Sequence, residues 1–84
     1  MNVILDCNNL AERAQAHEYL AKMLNFPEYY GKNLDALYDC LMDLGDCAVT
    51  LENADTVDGG YGAVVLKVLE EAAQANPGLR LEVH

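Results

Sequence analysis

Basic residues are scarce in this chain: five lysines and arginines stand against fourteen aspartates and glutamates, a net charge of -9. A surface of that sign repels nucleic acid and anionic membranes, so neither is expected as a partner. Tryptophan is absent and proline occurs twice. About half of the residues are apolar, so the composition also lacks the low-hydrophobicity signature of disorder. No stretch approaches the roughly 20 consecutive apolar residues that a membrane span needs. The opening MNVILDCNN has neither a basic leader nor a long apolar run. No signal peptide is therefore expected, and the cytosol is the expected compartment. The three cysteines, Cys7, Cys40 and Cys47, cannot all pair within one molecule. They form no CxxC or CxxH, which excludes the usual zinc and dithiol spacings. Each is expected to be a small free hydrophobe, and neither a cofactor nor a metal is expected.

Eighty-four residues suit one domain spanning 1–84, burying roughly 60–65% of the surface exposed by the unfolded chain. No internal repeat or low-complexity tract interrupts it. Asn2 to Asp6 reads as a short buried strand. Asn9, with Glu12 three residues on, resembles a capping box opening a helix that runs to about Leu24. Leu10, Ala14, His17, Ala21 and Leu24 recur on one face of that helix, with Leu20 and Met23 beside them. His17 thus falls on the apolar stripe, where a core histidine bonded to a neighbouring carbonyl is expected rather than a ligand or base. Pro27 disfavours helix at Phe26 and ends the element.

A tyrosine-containing loop to Lys32 follows, and Asn33 then offers a cap for a second helix, about Leu34 to Leu44. Cys47 to Asn53 reads as the second strand and Asp55 to Gly60 as a polar loop. Tyr61, Val64, Val65, Val68, Leu69 and Ala72 mark a third helix ending near Ala75. Asn76-Pro77-Gly78 is a stop and turn signal, and Leu79 to Val83 alternates as a closing edge strand. Strands separated by helices imply crossovers and parallel pairing. The expected class is a small α/β domain, a three-stranded parallel sheet packed with about three helices.

Eight of the fourteen acids lie between Glu28 and Asp58, opposed only by Lys32. The second helix concentrates the pattern. Leu34, Leu37, Leu41 and Leu44 share one face, while Asp35, Asp39 and Asp43 follow at i, i+4, i+8 on the opposite one. Like charges at that spacing destabilise a helix by roughly 0.2–0.5 kcal/mol per pair, and Asp43 lies near the end where the macrodipole disfavours negative charge. No cation in the helix relieves the repulsion. The bland explanation is a solvated face. Acid–base work would need a cleft that splits two carboxylate pKa values, and a hard metal would need further converging oxygens. A convex acidic ridge suits entry into another molecule's cationic pocket. Tyr29, Tyr30 and Gly31 precede it: tyrosine is a frequent interface anchor, and glycine permits close backbone approach. Tyr30 is expected to pack on the core, and Tyr38 to sit at the rim beside Asp39.

The run Pro27-Glu28-Tyr29-Tyr30-Gly31-Lys32-Asn33-Leu34-Asp35-Ala36-Leu37-Tyr38-Asp39-Cys40-Leu41 resembles the signature of the barstar family, intracellular inhibitors of barnase-type ribonucleases. Weaker similarity runs the full length. The resemblance implies a three-stranded parallel sheet with packed helices, no enzymatic activity, and a basic ribonuclease as partner of a chain that is monomeric when free. It implies that Asp39 takes the substrate-phosphate site, Asp35 pairs with a guide-loop arginine, and Tyr29 packs on the catalytic histidine. Gly31 and Asn33 would add nearby contacts. Glu71 matches an outlying acidic contact, although a local i, i+4 pair with Lys67 is an equal reading. The chain departs from the family pattern at three places in the ridge. Tyr38 replaces a tryptophan, Asp43 stands where glycine is usual, and Leu44 replaces a second tryptophan. The segment between the second strand and the third helix is also short. Two rival functions remain open: a barstar-like module for a different basic protein, and a cation binder using Asp35, Asp39 and Asp43.

Overall fold

The computed structural model describes residues 1–84. Along the chain come β1 (Asn2–Asp6), α1 (Arg13–Met23), α2 (Leu34–Met42), β2 (Cys47–Glu52), α3 (Gly60–Ala75) and β3 (Leu79–Val83). The strands form one parallel sheet in the order β1-β2-β3, so the expected small α/β architecture is present. Val3 pairs with Val49 and Val49 with Leu81; Leu5 pairs with Leu51. These rows point one way, into a core of 17 buried apolar residues that the helices complete.

The other sheet face is open. Burial alternates along β1, with Val3 and Leu5 buried but Asn2 and Ile4 exposed, Ile4 by 56%. β1 is therefore covered on one side only, not buried throughout. Topology gives the reason. Both crossovers step in the same direction across the sheet, and two right-handed crossovers in one direction lay their helices on the same face.

The first helix begins later than its sequence pattern suggests. Asp6, not Asn9, supplies the cap: its Oδ1 accepts the Asn8 N–H at 3.0 Å and closes a tight 3-10 turn over Cys7–Leu10. Glu12 occupies the cap position of α1 without a side-chain bond. The turn sinks Cys7 and Leu10 into the core before the helix starts. Counting from Arg13 then puts Ala16, His17, Leu20 and Leu24 inside and leaves Ala14 and Met23 exposed. Asn53, in the left-handed region at φ 59, ends β2 at Glu52 and donates to the same Asp6 oxygen at 3.0 Å. The Asn53 bond, and then the Asn8 amide, hold the Asp6 carboxyl below its usual range.

Gly59 and Gly60, at φ 91 and 65, turn the chain into α3 in a conformation that side chains disfavour. Val65, Leu69 and Ala72 form its buried stripe, with Tyr61 and Val68 half-buried at the flanks. Val64 is exposed, because the packed stripe is narrower than the run of apolar residues. No helix is long and apolar enough to cross a membrane.

Candidate functional site

α2 is fixed at both ends by asparagines. Asn33 Oδ1 accepts the Ala36 N–H at 2.8 Å, satisfying one amide of the first turn as an N-cap should. Lys32, left-handed at φ 55, reverses the chain into that cap. Gly31 fits closely here: a Cβ would lie 3.2 Å from Asn33 Nδ2 and 3.3 Å from the Ala36 Cβ, tight enough that these side chains would have to shift.

The far end is shorter than expected. α2 stops at Met42, Asp43 is its C-cap, and Leu44 lies beyond. The cause is Asn76, arriving from the end of α3. Its Nδ2 donates to the Leu41 and Leu44 carbonyls, each at 3.0 Å, and its Oδ1 accepts the Gly78 N–H at 3.0 Å. Terminal helix carbonyls have no partner within the helix, and this nearly buried amide supplies one. In the sequence Asn76 reads only as a stop signal. Nothing local links it to a helix more than thirty residues away.

Between these ends the two faces separate as expected. Leu37 and Leu41 are fully buried, with Leu34 and Leu44 half-buried. Asp35, Asp39 and Asp43 are exposed. None is ion-paired: the close charge contacts are Arg80–Asp46 at 2.6 Å and His84–Glu82 at 3.5 Å, both involving β3. The acids do not gather with other ligating side chains into a group of three or more that could hold a metal ion.

Adjacent tyrosines before the helix have opposite fates. Tyr29 is 87% exposed, whereas Tyr30 is buried as expected. The Tyr30 hydroxyl lies 2.6 Å from His17 Nδ1, and the Tyr61 hydroxyl 2.6 Å from His17 Nε2. His17 is a core histidine, but it bonds two tyrosines instead of the expected carbonyl. A neutral imidazole suits this, since one ring N–H donates to a tyrosine oxygen and the other nitrogen accepts a hydroxyl. Burial, and then the Arg13 charge, push its pKa below 6.5. Burial also pushes the Tyr30 hydroxyl well above its ordinary value. The histidine so ties α1, the loop before α2, and the start of α3 together. Phe26 packs on Tyr30 with ring centroids 4.9 Å apart.

Between α2 and the loop runs a groove of about 520 Å³, whose lining includes Tyr29, Gly31, Asp39, Cys40, Asp43 and Leu44. Four of the sequence-predicted site residues thus meet in one depression: Tyr29, Gly31, Asp39 and Asp43. The other four lie outside it. Asn33 caps the helix, Asp35 stands exposed in its first turn, and half-buried Tyr38 packs against the core. Glu71 is exposed on α3, which packs beside α2. It forms no ion pair with Lys67, so that local reading is not realised. All three cysteines are free; Cys7 and Cys47 are buried, and Cys40 is half-buried in the groove.

A family model described as Barstar (barnase inhibitor) matches residues 1–83. A Bacillus subtilis (strain 168) protein named "Putative ribonuclease inhibitor YrdF" is 39% identical over 77 residues, covering 86% of this chain and 85% of that relative.

Proposed function

The chain belongs to the barstar family, and on that footing we propose that it inhibits a basic barnase-type ribonuclease by filling its active site with the outward face of α2. The observation that carries the proposal is the exposed, uncompensated ridge of Asp35 and Asp39 on a helix held at both ends. A carboxylate replaces a phosphate because both offer anionic oxygens to arginine forks. In this role Asp39 takes the phosphate position and Asp35 meets an arginine beside it. Tyr29 lies against the catalytic histidine, with Gly31, Asn33 and Tyr38 supplying contacts around them. Glu71 reaches an outlying cation.

Two physical factors favour tight binding. The Asn33 and Asn76 bonds order α2 before the partner arrives, which lowers the entropic cost of association. The net charge of -9 steers a basic partner inward; charge-steered association has the barnase–barstar pair as its standard worked case. The chain performs no chemistry of its own in this scheme. It acts inside the cell, protecting the producer or its neighbours from the nuclease.

The test is inhibition of a panel of barnase-type ribonucleases by wild type and Asp39→Ala. Inhibition that the substitution abolishes supports the proposal. The changes at Tyr38, Asp43 and Leu44 favour one alternative, a different basic protein as partner. Absence of inhibition by wild type, together with an Asp39-dependent pull-down of such a protein, selects that alternative.

A further inference from the structure

The loop that presents Tyr29 has few ties to the rest of the molecule. The Tyr30 N–H donates to the Pro27 carbonyl at 3.0 Å and closes a turn with Tyr29 inside it. Asn33 Nδ2 reaches the Gly31 carbonyl at 3.4 Å, a contact only two residues along the chain. Apart from these, residues 27–32 make one hydrogen bond, between the Tyr30 hydroxyl and His17 Nδ1 of α1. The opposite nitrogen of the same ring meets the Tyr61 hydroxyl at the start of α3. One buried imidazole thus anchors the turn that carries Tyr29 and leads into Asn33.

Burial fixes which way the protons run. Tyr30 is buried, and its hydroxyl has no hydrogen-bond partner besides Nδ1. A buried O–H without an acceptor is costly, so this hydroxyl donates to Nδ1. The ring proton then sits on Nε2 and is given to Tyr61, whose half-buried hydroxyl can turn its own hydrogen to water. Imidazolium has two N–H donors and no acceptor. Protonation at Nδ1 therefore removes the acceptor that Tyr30 uses, and it leaves a charge in an apolar setting. The groups facing the ring offer that charge no anion. Arg13 on α1 is itself cationic, Tyr30 and Tyr61 are phenols, and the Cys40 thiol of α2 acts on Tyr30.

We propose that His17 is a positioning residue for inhibition: the neutral ring latches the Tyr29 turn in its binding form, and protonation unlatches it, so that the chain loosens its hold on the ribonuclease in mild acid. This rests on the reading of the chain as a ribonuclease inhibitor. Burial, and then the Arg13 charge, hold the ring below 6.5, so the latch is closed at neutral pH and opens as pH falls past the lowered value. α2 keeps its own Asn33 and Asn76 bonds throughout, so Asp39 stays in place while Tyr29 is freed.

The test measures inhibition of the best-inhibited barnase-type ribonuclease by wild type and His17→Gln, as pH is lowered from neutral into mild acid. Glutamine offers an acceptor and N–H donors without titrating, and titration of the nuclease itself is common to both measurements. Wild type should lose roughly tenfold more affinity than His17→Gln over that interval, as its binding-competent fraction falls. Equal profiles for the two proteins overturn the latch and leave the inhibitor reading standing. A second arm needs no nuclease. In free wild type the amide resonances of Tyr29, Tyr30 and Gly31 should move with the same midpoint as the His17 ring, while those of Val49 and Leu69 stay fixed. Tyr30→Phe keeps the ring, loses the hydroxyl and should abolish that coupled shift. Loop resonances that ignore the His17 titration, or a whole spectrum that collapses with it, reduce the histidine to a structural role and overturn the proposal. Absence of inhibition by both proteins at every pH overturns the inhibitor reading and, with it, the function of the latch.

Discussion

Leu37 and Leu41 on one side of α2 have no solvent exposure, while Asp35 and Asp39 on the other stand in water without a cation. The leucines are stabilised by what the fold already contains. The aspartates are mutually repulsive and find no compensating charge within the chain. One helix therefore carries the fold's interest on one face and a partner's on the other. The asparagines at its ends serve both, since they hold the helix against the core and hold the acids in place.

The sharpest break in this contrast should come from the inward face. Leu41→Ala is expected to cost about 2–5 kcal/mol, and each kcal/mol lowers Tm by roughly 4–8 °C in a domain of this size. Denaturant unfolding checks it, and a loss under about 1 kcal/mol would mean that the leucine side is not the anchor. Next comes the outward face: Asp39→Ala should weaken nuclease inhibition roughly 100-fold or more with Tm within about 2 °C of wild type, because an exposed residue away from packing or caps changes stability little. An inhibition constant and a melting curve on the same preparation separate the two quantities.

Asn76→Ala probes the support shared by both faces. Leaving the buried Leu41 carbonyl without its donor should cost about 1–3 kcal/mol, measurable by denaturation. The same variant should also bind more slowly, since the end of α2 near Asp43 is no longer held. Unchanged stability would show that water replaces the amide. The subtlest effect concerns acid. His17 has its folded pKa pushed below 6.5, so the unfolded chain takes up the proton first. Its contribution to stability is complete above about pH 7 and is lost as pH falls through 6.5 toward the lowered value. Asp6 and Asp46, lowered from 3.8 by the Asn53 and Arg80 bonds respectively, lose theirs only in stronger acid. Tm should therefore decline between pH 7 and about 5, and His17→Gln should flatten that decline. An equal slope in both proteins would assign the effect to other groups.

Strand and helix order and the split of α2 into leucine and aspartate faces were legible because each depends on short-range periodicity. Asn33 was legible for the same reason, being a cap read three residues ahead. The start of α1 was not. Asn9 and Glu12 satisfy the local rule for a cap, but Leu10 must reach the core, and the chain meets that demand with a turn capped by Asp6. Val64 and Ala14 were misplaced for a related reason: periodicity gives a face, whereas the neighbouring elements decide how wide a stripe is covered.

From its sequence alone this protein had its parallel α/β class, its acidic helix and its family resemblance, all properties of residue type and spacing along the chain. Tertiary structure decided the rest. It chose the two tyrosine partners of His17, carried Asn76 across the chain to the end of α2, and left one face of the sheet open. It also sharpened the acidic ridge, placing Asp39 and Asp43 in a groove with Tyr29 while Asp35 stayed outside. Such pairings depend on which distant segments fold into contact, and no local pattern of charge or hydrophobicity encodes them.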